Sequence, residues 1–263
     1  MSKKRMYYFI INVSVMNVYK KPSFNSAVTT QALLGESCPV IGQSENWYNI
    51  KQWDGYEGWV NGFYGIIQKE KYASNSTFFN SHGIVYNENN VPIRTINFGG
   101  QLSVTENENK YIVTLPDGQQ GSIKNGLRMH PMTPSRESIT NLAKSFLGIP
   151  YQWGGKSTQG FDCSGFVQTI FKAHGIEFPR DSHQQADHLQ NDIELENIKN
   201  GDLLFFAEGD QISHVAISLG GLNLINARGW VRIESLDRKN AHFSKKLSNL
   251  FVKAFSIEEV LNS

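Results

Sequence analysis

The sequence lacks the features of several common protein classes. Only two of its 263 residues are cysteines, and Cys38 and Cys163 lie far apart in unrelated surroundings. A disulfide framework is therefore not expected, and a reducing compartment such as the cytoplasm is favoured. No apolar run approaches the length that spans a bilayer, so we expect no membrane partner.

An excess of charge of one sign is also missing. The chain carries 25 Lys and Arg against 24 Asp and Glu, a formal net charge of +1, and no basic cluster is interleaved with aromatic residues. Nucleic acid is therefore not expected as a partner. The spacing of His183 and His188 suits neither one helix face nor a zinc finger, so we expect no metal and no cofactor.

The N-terminus is not expected to be an export signal. A basic segment at residues 3–5 and an apolar segment at residues 6–11 resemble the start of a signal peptide. Asn12, Ser14 and Asn17 interrupt the apolar stretch, and no small-x-small cleavage site follows. The alternating valines predict a strand instead, which favours a cytoplasmic protein.

The first part of the chain contains a degenerate repeat of short β-rich runs punctuated by Gly, Asn and Pro. The matching segments are residues 18–19 with 85–86, 34–40 with 98–104, and 54–60 with 117–123. A repeat of this size predicts two tandem small β modules. Residues 68–80, rich in Lys, Ser and Asn, are then the connection between them.

The last part of the chain combines helices with strands. Ser135 is a predicted helix start, and the apolar positions of that helix are Ile139, Leu142, Ala143, Phe146 and Leu147. A short helix is predicted near residues 184–188. Strands are predicted at residues 202–206, 214–219, 222–226, 230–233 and 251–256. A packed helix layer followed by an antiparallel sheet is an α+β arrangement.

Cys163 lies at the corner between a loop and a predicted helix. Apolar residues recur at helical spacing directly after it, and Asp162 is the predicted N-cap. A thiol at a helix N-terminus lies among backbone N–H groups without intrahelical partners, which favours the thiolate. The same N–H groups can bind an oxyanion. The alternative is a buried cysteine with only a packing role.

An activated thiol needs a base, and His214 is the best-placed histidine. It is predicted to begin a strand after the loop at residues 209–211, and its alternation partners are small. A strand-end histidine bonded to backbone is the alternative. His183 and His188 lie in a polar segment and are expected to face solvent or the edge of the cleft.

Five motifs occur in a fixed order in the last part of the chain. They are YQWGG at residues 151–155, FDCSGF at 161–166, PRDS at 179–182, GDLLFF at 201–206 and HVAI at 214–217. Together they resemble the motifs of the NlpC-type cysteine peptidases, which are papain-like enzymes acting on bacterial cell-wall peptides.

The first β module also resembles a known domain. Residues 54–60 match the D-G-x-x-G-W-V turn and strand of bacterial SH3-like domains, whereas the second copy has Ser122 in place of the tryptophan. The combination is similar to the γ-D-glutamyl-diamino-acid endopeptidases of the NlpC-type family. The resemblance implies an α+β papain-like domain at residues 133–263, preceded by two SH3-like β-barrels at residues 1–68 and 78–130.

The resemblance assigns roles to four residues of the reaction centre. Cys163 corresponds to the nucleophile and His214 to the general base. Many family members have a histidine as third polar residue, and this sequence has Asn226 there, which can still accept from the imidazole N–H. Tyr151 corresponds to a tyrosine whose hydroxyl points into the oxyanion region; a packing role is its alternative.

Substrate recognition is implied in the same way. Ser164 and Ser182 correspond to hydroxyls that face the D-glutamyl carboxylate, and Asp181 to the carboxylate that meets the free amine of the substrate. Trp153 corresponds to the wall of a small pocket for the N-terminal L-alanine.

Asp162 and Arg180 complete the implied substrate site. Asp162 caps its helix or also helps to orient the amine, and the sequence does not separate these roles. Arg180 is expected to brace the cleft through a bidentate pair with an acid.

The first SH3-like module of such enzymes contributes acidic and aromatic groups that select a free amino terminus. The corresponding turn here has lysines at residues 20–21 and no acid. Selection of the amine is then left to Asp181 of the papain-like domain or to a different carboxylate of the barrel, with Glu36 and Glu57 as candidates.

The implied function is a cytoplasmic endopeptidase that hydrolyses the γ-D-glutamyl-diamino acid bond of murein peptides with a free N-terminal L-alanine. The diamino acid is diaminopimelate or lysine, and the role is peptidoglycan recycling or turnover. The alternatives are a cell-wall peptide-binding protein with a vestigial papain-like domain and an amidase or acyltransferase on the same scaffold.

Overall fold

The computed structural model describes residues 6–107 and 110–261. The chain divides into two compact units, Met1–His130 and Pro131–Ser263. The basic segment at residues 3–5, used in the argument on export, lies outside the described residues. Within the described parts of the chain, no helix is long and apolar enough to cross a membrane.

In its described residues, the first unit consists of short strands and a 3-10 turn, Gly62–Tyr64. The strands, in chain order, are β1 Tyr8–Ile11, β2 Val15–Tyr19, β3 Val28–Leu33, β4 Ser37–Ser44, β5 Trp47–Lys51, β6 Glu57–Asn61, β7 Gly65–Gln68, β8 Ser76–Phe78, β9 His82–Tyr86, β10 Pro92–Asn97, β11 Gln101–Asn107, β12 Lys110–Thr114, β13 Gln120–Ile123 and β14 Leu127–Arg128.

These strands form two seven-stranded sheets with the same topology. The strand orders are β3-β2-β6-β5-β4-β1-β7 and β10-β9-β13-β12-β11-β8-β14. The repeated Asp-Gly turns have the same backbone conformation, because Gly55 and Gly118 have φ of +81° and +84°, a region that favours glycine. The position of the signature tryptophan also corresponds, since Tyr19 pairs with Trp59 and Tyr86 with Ser122.

The polar connection between the two repeats contains structure of its own. Strand β8 lies within residues 68–80 and pairs with β11 and β14. The segment has the polar composition of a linker, and the strand within it is only three residues long. Phe78 of this strand is nevertheless buried in the core of the second sheet. The strand was not expected at this place from the sequence.

The two sheets of the first unit are joined by specific contacts. Leu34, in the turn between β3 and β4, packs into the core of the second sheet. The N–H of Gln101 donates to the Leu34 carbonyl at 2.8 Å. Arg94 Nη1 of the second sheet donates to the Asn12 carbonyl at 2.8 Å, and Asn12 Nδ2 donates to Asp117 Oδ2 at 3.1 Å. Burial of an apolar side chain together with paired polar groups holds the two sheets in one unit.

The second unit contains the α-helices of the described residues and one large sheet. The helices are α1 Arg136–Ser145, α2 Cys163–Ala173, α3 Ser182–His188, α4 Lys245–Leu250 and α5 Glu258–Leu261, with a 3-10 turn at Leu195–Asn197. The strands are β15 Lys156–Ser157, β16 Gly160–Phe161, β17 Asp192–Ile193, β18 Leu203–Glu208, β19 Gln211–Gly220, β20 Asn223–Arg228, β21 Trp230–Ser235 and β22 Phe251–Phe255.

The large sheet is antiparallel, with the order β17-β22-β18-β19-β20-β21. One set of its side chains, including Phe206, Ala216 and Leu224, packs around Leu247 of α4. The helix α2 contacts both β19 and β20. This unit is α+β as expected, although the chain as a whole is mostly sheet.

The helix α1 is close to its prediction. Ser135 is the N-cap and accepts a hydrogen bond from the N–H of Ser138, and Ile139 is buried. Leu147, predicted to lie on the apolar face, is instead largely exposed. It follows the end of the helix, where the helical period no longer determines the direction of a side chain.

Candidate active site

The start of α2 positions Cys163. Asp162 is the N-cap, and its Oδ1 accepts a hydrogen bond from the N–H of Gly165 at 2.6 Å. The N–H of Asp162 donates to the Gly155 carbonyl at 3.0 Å, which ties the preceding glycine-containing loop to the helix start. The predicted helix start and cap are therefore confirmed.

The sulfur of Cys163 is surrounded by backbone polar groups. Cys163 Sγ lies 3.9 Å from the Ser213 carbonyl oxygen, and the backbone groups of Val215 and Ser164 also hydrogen-bond to it. Burial nevertheless raises the pKa of Cys163 to about 12, and the charge of Asp162 acts in the same direction. The backbone hydrogen bonds lower the pKa, as expected at a helix N-terminus, but loss of solvation is the larger effect.

A β-bulge lies beside the predicted base. Phe206 pairs with His214 and Ala207 with Ile212, so Ser213 is an extra residue on β19. Its carbonyl oxygen is the one that accepts from the thiol. The sequence predicted that this strand begins at His214. It begins earlier, at Gln211, because the ladder continues through the bulge to the hairpin turn.

His214 and Asn226 are brought together by neighbouring strands. His214 Nε2 lies 2.9 Å from Asn226 Oδ1, and Asn226 is 0% exposed. The other ring nitrogen, Nδ1, takes no part in this hydrogen bond, and the thiol bonds to the backbone on both sides of His214. Burial lowers the pKa of His214 to about 4, although the hydrogen bond with Asn226 opposes the shift. The resting ring is neutral and can accept a proton.

The network continues to Glu234, a residue that the sequence reasoning missed. Asn226 Nδ2 donates to Glu234 Oε2 at 3.1 Å, and Arg228 Nε donates to the same oxygen at 3.2 Å. Arg232 Nη2 donates to Oε1 at 3.1 Å. Although burial opposes the shift, these hydrogen bonds lower the pKa of Glu234 to about 2. The signal in the sequence is the alternation of β21, which places Arg232 and Glu234 on one face.

Tyr151 lies close to the nucleophile. Its N–H donates to the Gly229 carbonyl at 2.8 Å, and its backbone bridges to Phe161, two residues before Cys163. Burial raises the pKa of Tyr151 to about 12, and the charges of Cys163 and Asp162 add to the shift. The phenol is therefore a protonated donor near the thiol at neutral pH.

Asp162 and Arg180 form a buried bidentate pair. Arg180 Nη2 lies 2.6 Å from Asp162 Oδ2, and Nη1 lies 3.0 Å from Oδ1. Nη1 also donates to Ser164 Oγ at 3.0 Å. The side chain of Arg180 is 1% exposed. The structure thus gives Arg180 the bracing position that the sequence predicted, with Asp162 as the acid, rather than a place on the surface of the cleft.

The other predicted substrate residues lie around the start of α3. Asp181 is its half-buried N-cap, and Ser182 is its buried first residue. Trp153 lies in the loop before α2 and is 72% exposed. His183 and His188 are both exposed. The roles of these residues in binding stay predictions.

The barrel carboxylates considered for amine selection differ in accessibility. Glu36 is buried, and its Oε2 accepts hydrogen bonds from the N–H of Leu33 at 3.1 Å and from Gln52 Nε2 at 3.5 Å. It is part of a turn inside the first sheet, so its candidacy is wrong. Glu57 is exposed and lies 3.8 Å from Lys51 Nζ.

Two sequence families match this chain. The NlpC/P60 family matches residues 148–250, which contain Cys163, His214 and Asn226. The bacterial SH3 domain matches residues 14–64, which lie in the first sheet.

Individual relatives extend the match over most of the chain. A γ-D-glutamyl-L-lysine dipeptidyl-peptidase of Bacillus subtilis is 30% identical over 85% of this chain and 80% of its own length. A protein of the same name from Bacillus cereus is 31% identical over 75% of this chain, but the match spans only 66% of that relative. The crystal structure of an NlpC/P60 family protein from Bacillus cereus superposes with a TM-score of 0.83 at 26% identity, covering 95% of this chain and 99% of the other. The chain therefore belongs to the NlpC/P60 family of cysteine peptidases and carries an N-terminal bacterial SH3 domain.

Proposed function

We propose that the protein is a cysteine peptidase that hydrolyses the γ-D-glutamyl-diamino acid bond of murein peptides with a free N-terminal L-alanine. One observation carries the chemistry. A cysteine at the start of α2 bonds to the backbone on both sides of His214, and the far nitrogen of that histidine is held by Asn226. This is the arrangement of nucleophile, base and orienting group that acyl transfer requires.

The first half of the reaction starts from a neutral pair. As Sγ of Cys163 attacks the γ-glutamyl carbonyl carbon, the thiol proton passes to Nδ1 of His214. The oxyanion is bound by the N–H of Cys163 at the helix N-terminus and by the hydroxyl of Tyr151. His214 then returns the proton to the amine of the diamino acid, which leaves as the C–N bond breaks.

The second half regenerates the enzyme. The product of the first half is a thioester between Sγ and the γ-glutamyl carbonyl, with L-Ala-D-Glu still bound. His214 removes a proton from a water molecule that attacks this carbonyl. Collapse of the second tetrahedral intermediate breaks the C–S bond, and the proton returns to Sγ.

The names of the two Bacillus relatives support this substrate class, since each is called a γ-D-glutamyl-L-lysine dipeptidyl-peptidase. Removal of a dipeptide requires recognition of a free amine. The carboxylate of Asp181, the half-buried N-cap of α3, is the proposed partner of that amine. The polar groups of Ser164 and Ser182 are the proposed partners of the D-glutamyl carboxylate. A role in peptidoglycan recycling within the cytoplasm belongs to the same proposal.

The second seven-stranded sheet is proposed to be a second SH3-like barrel. Its strand order is that of the first sheet, and its Asp-Gly turn has the same positive φ. The domain boundaries at residues 1–68, 78–130 and 133–263 stay predictions.

The deciding experiment is mass spectrometry of products from L-Ala-γ-D-Glu-L-Lys and L-Ala-γ-D-Glu-meso-diaminopimelate, each beside an N-acetylated copy. Release of L-Ala-D-Glu from the free peptides alone supports the full proposal. Cleavage of the acetylated copies as well contradicts the requirement for a free amine and indicates a wall hydrolase with an open cleft.

Two alanine variants serve as matched controls. Cys163→Ala should abolish hydrolysis while peptide binding, measured by calorimetry, is retained. Cys38→Ala removes the other buried cysteine, which lies in the core of the first sheet, and should leave the reaction in place. If neither peptide is cleaved by the wild-type protein but both bind, the chain is a binding protein and the proposal fails.

A further inference from the structure

We infer that Glu234 is a positioning residue, which acts through Asn226 to set the tautomer of His214. The effect on turnover rests on the proposed peptidase function. The effect on the tautomer does not, because it is measured on the free protein.

The amide of Asn226 has one orientation that satisfies all of its neighbours. Nδ2 faces Glu234 Oε2 at 3.1 Å and the Arg232 carbonyl oxygen at 3.5 Å. A carboxylate and a carbonyl only accept hydrogen bonds, so the NH2 group must point at them. Oδ1 then faces His214 Nε2, which must carry the proton of the 2.9 Å hydrogen bond.

Glu234 keeps this orientation because it remains an acceptor. Its side chain is 9% exposed and forms ion pairs with Arg228 and Arg232. Arg228 Nε shares Oε2 with Asn226 Nδ2, while both guanidinium groups donate to Oε1. A carboxylate that receives several charge-assisted hydrogen bonds stays ionised and fixed in direction.

The sheet supplies the alignment. His214 is on β19, Asn226 on β20 and Glu234 on β21, three consecutive strands of the sheet. Asn226 pairs with Arg232 in the β20–β21 register, and Glu234 lies one pair further along on the same face. Adjacent side chains on one face of a sheet are close enough to interact directly and diagonally.

The consequence for catalysis follows from the two ring nitrogens. With the proton on Nε2, the lone pair is on Nδ1, which can then accept the thiol proton in the proposed reaction. If the amide of Asn226 were reversed, Nδ2 would donate to Nε2 and the ring proton would move to Nδ1. His214 could then no longer act as a base toward Cys163.

The substitution Glu234→Gln tests this directly. The single oxygen of the new side chain is drawn to the two guanidinium groups, since charged donors compete better than an amide. Its NH2 group then faces Asn226 and favours the reversed amide. We expect kcat to fall by at least about 10-fold with KM within about 2-fold of wild type, as loss of the correct tautomer affects the chemical step.

A spectroscopic readout separates positioning from a general structural defect. Long-range 1H–15N spectra of 15N-histidine-labelled protein distinguish the two imidazole tautomers, and a His214→Gln sample identifies the signals of His214. The wild-type protein should show the Nε2–H tautomer, and Glu234→Gln should shift the population toward Nδ1–H. A wild-type ring in the Nδ1–H form overturns the inference even if no variant folds.

The double variant Glu234→Gln/Asn226→Asp provides the rescue. An aspartate accepts from both the glutamine NH2 and His214 Nε2–H, and the total charge equals that of the wild type. The Nε2–H tautomer should return, and kcat should rise above that of Glu234→Gln. If the tautomer is unchanged in Glu234→Gln, or if kcat falls without rescue, Glu234 has only a structural role and the inference is overturned.

Asp202→Asn is the matched control. Asp202 is also a buried carboxylate of this unit, held by Arg136 at 2.6 Å and by the N–H of Lys199 at 2.7 Å. It lies near the opposite end of β19 from His214, next to Ser218. Its substitution should lower the melting temperature while leaving the His214 tautomer in the Nε2–H form. A change of tautomer in this control would also contradict the inference.

Discussion

At the scale of single residues, Cys163 and His214 both lose the hydration that would stabilise their charged forms. Burial raises the pKa of Cys163 to about 12 and lowers that of His214 to about 4. Both shifts favour the uncharged side chain, so the free protein holds a thiol beside a neutral imidazole between these values. The thiolate then forms only as the substrate is attacked.

The pH dependence of alkylation tests this state. Inactivation by iodoacetamide should be slow at pH 7 and rise continuously with pH, because the pKa of Cys163 lies above the usual thiol range. A plateau between pH 5 and pH 8 would instead indicate a resting thiolate-imidazolium pair. Cys163→Ala, which retains Cys38, measures the background.

The acidic limb of catalysis gives a second test of the same pair. Since the pKa of His214 is lowered, its basic form persists as the pH falls through 6.5, the ordinary histidine value. We expect kcat/KM to stay level there and to decline only toward pH 4. Half-loss of kcat/KM near pH 6.5, with the fold intact by circular dichroism, would contradict the assigned environment.

The hydroxyl of Tyr151 is the proposed side-chain donor to the oxyanion, and removing its oxygen atom tests that role. Its hydroxyl keeps its proton because burial raises the pKa to about 12. Tyr151→Phe should lower kcat by roughly 100-fold, the effect of removing one oxyanion donor, with little change in KM. Steady-state kinetics on the γ-glutamyl tripeptide measure both values. An unchanged kcat would leave Tyr151 with only a packing role.

At the scale of elements, the start of α2 depends on a buried ion pair as well as on a cap. Asp162 accepts from the N–H of Gly165 and pairs with Arg180, whose side chain is 1% exposed. Removing this carboxylate separates a buried cation from its ion-pair partner, which costs more than a lost cap hydrogen bond.

Asp162→Ala should therefore destabilise the protein by about 3–5 kcal/mol, as expected when one member of a buried pair is removed. Ser135→Ala removes only the α1 cap bond to the N–H of Ser138 and should cost about 1 kcal/mol. Urea denaturation monitored by circular dichroism measures both values. Equal losses would mean that the Arg180 pair adds nothing to the cap.

At the scale of the whole molecule, the chain forms two compact units. The first unit contains two sheets that contact each other through the turn between β3 and β4. Gly35 lies at their junction. A Cβ atom there would be 2.1 Å from the Gln101 carbonyl oxygen, and its φ is +80°. Only glycine permits both this conformation and this approach.

Gly35→Ala should accordingly destabilise the protein more than Gly118→Ala. Gly118 has a similar φ of +84°, but no heavy atom lies within 4 Å of the position of its added Cβ. In this control only the left-handed backbone conformation is unfavourable, which should lower the free energy of unfolding by about 1–2 kcal/mol. Differential scanning calorimetry of the full chain compares them, and equal melting temperatures would show that the junction at Gly35 tolerates a side chain.

Local features of the site were predictable because they depend on neighbouring residues. The helix start at Cys163, its cap Asp162 and the motif containing His214 are visible as short patterns. The charge state of the thiol was not, since burial depends on β19 packing against a residue that lies 50 positions earlier. The helix-terminus argument gave the correct sign for the backbone groups but left out the larger effect of burial.

The sequence by itself determined the family motifs, the repeated glycine turns and the helix α2, because backbone preference and hydrophobic period act within a few residues. It also predicted that Arg180 pairs with an acid, but not that the acid is Asp162. Only the tertiary structure decided which polar groups meet. The Ser213 bulge and the approach of Glu234 to Asn226 arise from strand register. Register is set by pairing between strands across the whole sheet, which no local pattern contains.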